Sequence, residues 1–304
     1  MRMKKEKLIA WIRASRLRTL PLAFSCSLMG SFVAWHDGAF NAGVFWLALI
    51  TTLFLQILSN LANDYGDSVN GADNPHRVGP ARTVQSGAIS RKEMKNAVIL
   101  TSVLAFISGI VLIGAGIGFS FSLGWLAFLG LGLLALAAAI TYTAGSKPYG
   151  YVGLGDLFVF LFFGLTGVIG TYFLHTQTLK AAILLPATAV GFLSTAVLNL
   201  NNMRDVHGDS LSGKNTLVVK FGSKMARYYH AALILGSMAA LLIWTLLNYR
   251  HPAQFGFLVT ILFLVPHIAL VFRNKVPANL DPQLRKLAFT TFLTVILFGL
   301  ALML

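Results

Sequence analysis

Apolar stretches long enough to cross the hydrocarbon of a bilayer, about 30 Å thick, recur along the whole of this 304-residue chain. No other feature constrains its fold as strongly, because a backbone in lipid must satisfy its own hydrogen bonds and so forms helices or a closed barrel. The stretches run to roughly 20 residues each, about the length of a helix that spans a bilayer. The hydropathy pattern predicts nine spans, at roughly 19–35, 42–62, 97–117, 123–142, 153–174, 181–199, 229–247, 255–272 and 287–304. The expected fold is therefore an all-α integral membrane bundle. With no linker to divide it, residues 1–304 are expected to form a single polytopic domain. The first stretch follows an Arg/Lys-rich segment as a signal peptide does. It is too long for a typical h-region, and no small-residue cleavage site follows it before Trp35-His36-Asp37, so it is read as a retained helix.

The net charge of +14 invites a nucleic-acid reading, which its distribution argues against. Of the 24 Lys and Arg residues, only Lys180 and Arg250 fall outside the N-terminal segment and the connections on the same side of the predicted spans. That asymmetry is the positive-inside pattern, so the expected topology has the N-terminus and the long loops in the cytoplasm and the C-terminus outside. The chain is then a multi-pass protein of the cell inner (cytoplasmic) membrane. Membrane lipid is its surroundings and nucleic acid is not a partner. Basic loops also attract anionic lipids or an anionic substrate. The one cysteine, Cys26, leaves no intramolecular disulfide and no cysteine cluster for a metal.

Four of the chain's 10 acidic residues sit in two matching places, each at the end of a long apolar run. The first is Asn60-Leu-Ala-Asn63-Asp64-Tyr-Gly-Asp67 and the second is Asn201-Asn202-Met-Arg-Asp205-Val-His-Gly-Asp209. Carboxylates are costly there unless they are used. Spacings of three or four residues bring side chains to one helical face. The frame recurs about 140 residues later, which suggests two related halves. Mg²⁺ takes oxygen ligands and commonly binds through one or two carboxylates plus substrate phosphate. Two such clusters facing one cavity can therefore grip a diphosphate through Mg²⁺, with Asp64, Asp67, Asp205 and Asp209 as the ligands. Asn60, Asn63, Asn201 and Asn202 can add carbonyl oxygens or orient the carboxylates.

Arg77 and Arg82 follow the first motif and Lys214 the second. Each is either a phosphate or carboxylate contact or part of the topological charge. Arg91, Lys92, Lys95, Lys220, Lys224 and Arg227 are assigned to topology alone. A third segment, Thr141-Tyr142-Thr-Ala-Gly-Ser-Lys147-Pro-Tyr149-Gly-Tyr151, carries one cation between tyrosines. It reads either as an interfacial aromatic belt or as a contact to the diphosphate (Lys147) and to a carbocation (a tyrosine). The seven histidines are scattered with no close pair at metal-ligand spacing. Neither a phosphate-binding glycine loop nor a nucleophile elbow is present.

These words resemble the intramembrane aromatic prenyltransferases of the UbiA type. Within that superfamily the chain is most similar to the branch that prenylates 1,4-dihydroxy-2-naphthoate in menaquinone biosynthesis. The resemblance extends from Arg16-Leu-Arg18-Thr-Leu-Pro-Leu22 to the ninth span. It includes Gln56-Ile-Leu-Ser-Asn-Leu-Ala-Asn-Asp-Tyr-Gly-Asp67, Lys147-Pro-Tyr-Gly-Tyr151, Asn199-Leu-Asn-Asn-Met-Arg-Asp205 and Gly213-Lys-Asn-Thr-Leu217. The first motif departs from the broad superfamily's pattern. Gly71 stands where a third Asp often follows, and the nearest acid is Asp73.

The resemblance implies a Mg²⁺-dependent transferase whose donor is an all-trans polyprenyl diphosphate and whose acceptor is the naphthoate, with loss of CO₂ and diphosphate to give demethylmenaquinol. It implies that Asp64, Asp67, Asp205 and Asp209 hold the metal, that Arg82, Lys147 and Lys214 add charge, that Tyr142 faces the allylic cation, and that Arg18 or Arg77 holds the acceptor's carboxylate. A prenyltransferase for another aromatic acid such as 4-hydroxybenzoate is the nearest alternative. A cation- or proton-coupled transporter is the alternative of another class. Transporter sites tend to lie near the bilayer midplane, whereas these carboxylates sit at helix ends beside long basic loops.

Overall fold

The computed structural model describes residues 2–70, 82–120 and 122–304, with side chains from residue 5 onward. Among these residues every regular element is helical. Among the described residues nine helical stretches are long and apolar enough to cross a membrane. The chain is a multi-pass, all-α membrane protein.

A short basic helix, α1 (Arg2–Ser15), leads through a 3-10 turn (Leu17–Thr19) into α2 (Leu20–His36). Then come α3 (Ala42–Val69), α4 (Arg91–Ile117) and α5 (Leu123–Thr141). The next span starts as α6 (Gly155–Val159), loosens into a π-helical stretch (Phe160–Ile169) and ends as α7 (Gly170–Thr176). The second half holds α8 (Leu184–Leu211), α9 (Leu217–Leu247), α10 (Ile261–Arg273) and α11 (Asp281–Ala301). Local chemistry sets several starts. Asn41 caps α3 by accepting from the Val44 amide at 3.1 Å. Ser90 and Glu93 form a reciprocal capping box on α4.

α3 and α8 run well past the predicted ends at 62 and 199, to Val69 and Leu211. Hydropathy stops where apolar side chains stop. The helices continue because the carboxylates of their polar last turns are met by arginine and lysine. α9 starts at Leu217, earlier than the predicted 229, and kinks at Gly222, whose φ of +80° a side chain would resist.

Two hydrophobic clusters flank the site. The larger joins α2, the π-helical span, α8, α9 and α11 through side chains such as Met29, Val168, Leu193, Ile234 and Phe298. The smaller joins the end of α1 to α3 and α4 through Ala14, Leu58, Leu61, Ile89 and Met94. Large apolar side chains on α4 and α5, among them Ile99, Leu100, Phe106, Leu126 and Leu134, are exposed, as lipid-facing residues are. On α3 and α8, each 28 residues long, the Asp motifs occupy equivalent ends, and each helix packs extensively on the one that follows it.

The end of α3 is pressed against the turn after α5. A Cβ on Gly66 would stand 2.6 Å from the Thr143 carbonyl carbon and 2.7 Å from the Ala144 amide nitrogen. Neither neighbour is a side-chain tip that can swing away. Gly66→Ala is expected to cost about 1–3 kcal/mol of stability and to cut turnover by displacing Tyr142 and Thr143. Thermal unfolding in detergent and a membrane assay read both effects, and wild-type values in both would refute the packing argument.

Candidate active site

All four motif carboxylates line one cavity of about 810 Å³. α3 brings Asp64 and Asp67 into it, only 2% and 1% exposed. α8 brings Asp205 and Asp209, which are less deeply covered. Burying charge this deeply requires partners, and the site supplies them. Asp64 Oδ1 accepts from Arg16 Nη2 at 2.5 Å and lies 3.6 Å from Arg82 Nη1. Its Oδ2 accepts from Thr83 Oγ1 at 3.2 Å. Asp67 pairs with Arg82 and, through Oδ1, with Lys214 Nζ at 3.1 Å and Tyr151 Oη at 2.9 Å. Lys214 also sits 4.8 Å above the Tyr151 ring.

The second motif is held by its own arginine. Arg204, 4% exposed, donates to both Asp205 oxygens at 2.8 and 2.6 Å. It also reaches Asn201 Oδ1 at 2.8 Å and Asp281 Oδ1 at 2.6 Å, tying α8 to the first turn of α11.

The loop elements are fixed with equal care. Arg16 sits at the junction of α1 and the 3-10 turn with φ of 46°, in the left-handed region. For a residue other than glycine this is strained. The strain is held by Thr19, whose amide and hydroxyl donate to the Arg16 carbonyl at 2.8 and 2.9 Å. Asn215 N donates to the Tyr151 carbonyl at 2.8 Å, and Lys220 Nζ to the Val152 carbonyl at 2.8 Å, so the start of α9 fixes the loop that carries Tyr151.

Of the residues singled out from sequence, Asp64, Asp67, Asp205, Asp209, Asn63, Asn201, Asn202, Arg82, Lys214, Tyr142 and Arg18 line this cavity. Asn60 does not. Its side chain donates to the Ser15 carbonyl at 3.0 Å and to Thr19 Oγ1 at 3.1 Å, bracing the turn that carries Arg16 and Arg18. Lys147 is exposed on the turn after α5 and is not among the lining residues. It therefore does not join the carboxylates that the pattern suggested it would join. Arg77 and Asp73 lie outside the described residues. His207 is exposed and does not line the cavity.

Sequence reading did not single out Arg16, Arg204 or Asp281 as members of the site, and it held Tyr151 only as one of three tyrosines in the third segment. Arg204 carried a signal, since it stands inside the second motif. Arg16 stood in the stretch that supplied Arg18, whereas Asp281 is far from either motif along the chain and offered no signal.

A second cavity, of about 360 Å³, is lined largely by apolar side chains such as Phe128, Leu131, Ala135, Phe158, Phe162 and Leu174. Gln56, Asn63, Tyr142, Val159, Phe163 and Leu198 line both, so the polar chamber and the apolar one share a wall. Tyr142 stands at that boundary, its ring edge-on to Tyr149 with centroids 5.3 Å apart. Its phenol offers a π-face and a hydrogen bond at that boundary.

The donor set fits a hard divalent cation such as Mg²⁺. Among the described residues no three acidic or histidine side chains gather into a closed cage. The carboxylates instead arrive as two pairs on two helices, which leaves coordination positions for phosphate oxygens and water. Tyr151→Phe removes one hydrogen bond to Asp67 without disturbing the ring under Lys214. It is expected to lower kcat/KM about tenfold, the equivalent of about 1.4 kcal/mol for a hydrogen bond to a charged group. Unchanged kinetics would mean that Arg82 and Lys214 alone hold Asp67.

A model of the UbiA prenyltransferase family matches residues 23–296. The chain is 46% identical over 295 residues to the 1,4-dihydroxy-2-naphthoate octaprenyltransferase of Escherichia coli K12, a match that covers 97% of this chain and 95% of that one. It is 43% identical over 308 residues to the protein of the same name from Haemophilus influenzae, covering 100% and 99%. In architecture it is similar to a UbiA homolog from Archaeoglobus fulgidus bound to GPP and Mg²⁺. The TM-score is 0.65 over 95% of this chain and 99% of that one, at 18% identity, a likeness of fold.

Proposed function

The chain belongs to the UbiA prenyltransferase family, and from that premise we propose that it transfers an all-trans polyprenyl group from polyprenyl diphosphate to 1,4-dihydroxy-2-naphthoate, releasing diphosphate and CO₂ and giving demethylmenaquinol for menaquinone biosynthesis. One observation carries the reading. Two carboxylate pairs and their cations share a polar chamber whose wall is also the wall of an apolar one. A diphosphate suits the first and a prenyl tail the second. The curated relatives named for this reaction match nearly end to end, which supports the naphthoate as acceptor.

Asp64, Asp67, Asp205 and Asp209 would hold Mg²⁺, and a structural neighbour with this fold is bound to GPP and Mg²⁺. When bound there, the ion supplies positive charge against the diphosphate as it departs. Arg82 and Lys214 add fixed charge to the same region, preorganised by their contacts with Asp67. Lys147, on the neighbouring turn, adds to the field that draws in an anionic donor. Asn63, Asn201 and Asn202 orient the carboxylates and can add carbonyl oxygens. Tyr142 presents its ring where the two chambers meet, so it can stabilise the allylic cation as the C–O bond breaks. Exclusion of water once both substrates fill the chambers would keep that cation from hydrolysis.

The acceptor's ring carbon that bears the carboxylate forms the new C–C bond as diphosphate leaves. The bond to the carboxylate then breaks, CO₂ departs, and its electron pair restores the aromatic ring. A cation must hold the carboxylate meanwhile, and Arg18 in the cavity lining and Arg77 are the two that the sequence offered.

The chamber is placed on the cytoplasmic face of the inner membrane. The distribution of basic residues supports this. So does the pairing of the two exceptions at the other end of α2, where Lys180 meets Asp37 at 2.9 Å and Arg250 donates to the His36 carbonyl at 3.1 Å. The test is a membrane assay with labelled polyprenyl diphosphate, with and without Mg²⁺, offering the naphthoate and 4-hydroxybenzoate in parallel. Mg²⁺-dependent demethylmenaquinol with release of CO₂ is expected from the naphthoate. Product from 4-hydroxybenzoate alone would reassign the acceptor, and product from neither would overturn the proposal.

A further inference from the structure

The cations around the larger cavity fall into two sets. Arg16, Arg82 and Lys214 are committed to Asp64 and Asp67, and Arg204 to Asp205 and Asp281. Arg13, Arg18 and Arg285 also line the cavity, yet among the described residues none of the three makes an ion pair or a side-chain hydrogen bond. All three are exposed. Of these, Arg18 and Arg285 are the two whose like charges act on each other. The carboxylate that Arg18 does feel, Asp281, already has an oxygen on Arg204 at 2.6 Å. Two unpaired guanidiniums facing one chamber repel each other, and an anion between them would relieve that repulsion.

The elements that carry them are braced. Arg18 belongs to the 3-10 turn Leu17–Thr19, where Gln56 Nε2 and Asn60 Nδ2 donate to Thr19 Oγ1 at 3.0 and 3.1 Å. Arg285 lies one helical turn beyond Asp281 on α11, and the Arg204 bridge joins that turn to the second Asp motif. The same two regions contribute apolar lining through Leu22, Leu284 and Ala288. A planar guanidinium matches a carboxylate through two parallel hydrogen bonds, and a flat aromatic ring suits the apolar lining.

We propose that Arg18 and Arg285 form a carboxylate clamp that selects an aromatic acid as the acceptor. The Arg204 bridge holds the Arg285 arm of the clamp at a set distance from the diphosphate end. This inference rests on the prenyl-transfer reading and adds to it the recognition chemistry of the second substrate.

The experiment uses full-length protein in lipid nanodiscs. It measures binding of 1-hydroxy-2-naphthoate, of its carboxyl-free counterpart 1-naphthol, and of geranyl thiodiphosphate with Mg²⁺. Wild type is compared with Arg18→Ala, Arg285→Ala, Arg285→Gln and Arg285→Lys, each checked by thermal unfolding. The alanine and glutamine variants are expected to weaken binding of the acid at least about tenfold, and to leave 1-naphthol and the thiodiphosphate within about twofold. Arg285→Lys should recover part of the loss. Equal acid binding in wild type and variants, equal loss of acid and naphthol, or no preference of wild type for the acid would each overturn the clamp. Turnover separates the two claims. The expected binding pattern without any prenylated product leaves the clamp and removes the prenyl-transfer reading. Product formed with an unchanged acceptor KM in the variants does the reverse.

Discussion

Asp64→Ala is expected to abolish prenyl transfer, lowering kcat/KM by at least about a thousandfold, while the protein still inserts into the membrane. Asp64 carries two burdens. It is one of the carboxylates proposed to hold Mg²⁺, it accepts hydrogen bonds from Arg16 and Thr83, and it forms an ion pair with Arg82. Removing it leaves cationic partners short of a counter-charge in a place where water has little access. Breaking a buried ion pair costs about 3–5 kcal/mol. The loss here is smaller, since Arg16 is 24% exposed and Arg82 retains Asp67. Most of the expected loss is therefore in chemistry rather than folding. Asp64→Asn separates the two, because the amide keeps the size and a hydrogen bond to Thr83 but not the charge. It should fold nearly as well as wild type and remain inactive. Asp205→Ala should behave as Asp64→Ala does. Membrane fractionation reports insertion and the labelled-donor assay reports transfer. Full activity in either alanine variant would sink the two-cluster metal site.

Arg204 is the second position where a single change should have a large effect. Its guanidinium serves Asp205, Asn201 and Asp281 at once, while it is almost wholly buried. A lysine ammonium is a point charge on a flexible stem and cannot reproduce that planar fork. Arg204→Ala is expected to cost about 3–5 kcal/mol, because it leaves buried or half-buried carboxylates unpaired. Arg204→Lys should cost less and yet still raise the Mg²⁺ concentration needed for half-maximal activity, because Asp205 is no longer aimed. Thermal unfolding and a Mg²⁺ titration of activity measure the two consequences. A lysine variant with wild-type melting and wild-type Mg²⁺ response would show that charge alone, without geometry, suffices at this position.

Much of the site was legible because its chemistry is concentrated in short words. Asp64 and Asp67, or Asp205 and Asp209, are neighbours on one helix, so their spacing alone predicts a shared face. Carboxylates are rare in so apolar a chain, which made their repetition noticeable. Lys214 and Arg82 follow the motifs closely enough to be grouped with them. Asn60 was grouped by the same closeness and instead braces the Thr19 turn, and Lys147, taken from the separate tyrosine-rich segment, stands exposed on its turn. Proximity along the chain cannot tell which way a loop turns or which face of a helix a neighbour covers. Hydropathy likewise ended α3 and α8 too early, because it cannot count a carboxylate that an arginine neutralises.

The sequence by itself determined the helical membrane fold, the basic asymmetry of its loops and the two carboxylate pairs, since each depends on local composition or on spacing within one helix. Only the tertiary structure decided the partners. Arg16 reaches Asp64 across 48 positions of chain and Arg204 reaches Asp281 across 77. Arg18 and Arg285 meet at one chamber from opposite ends of the sequence. Such contacts follow from how the helices pack, and packing is set by side chains throughout both hydrophobic clusters rather than by any motif. The burial of Asp64 and Asp67 could be sustained only once those distant cations had been brought to them.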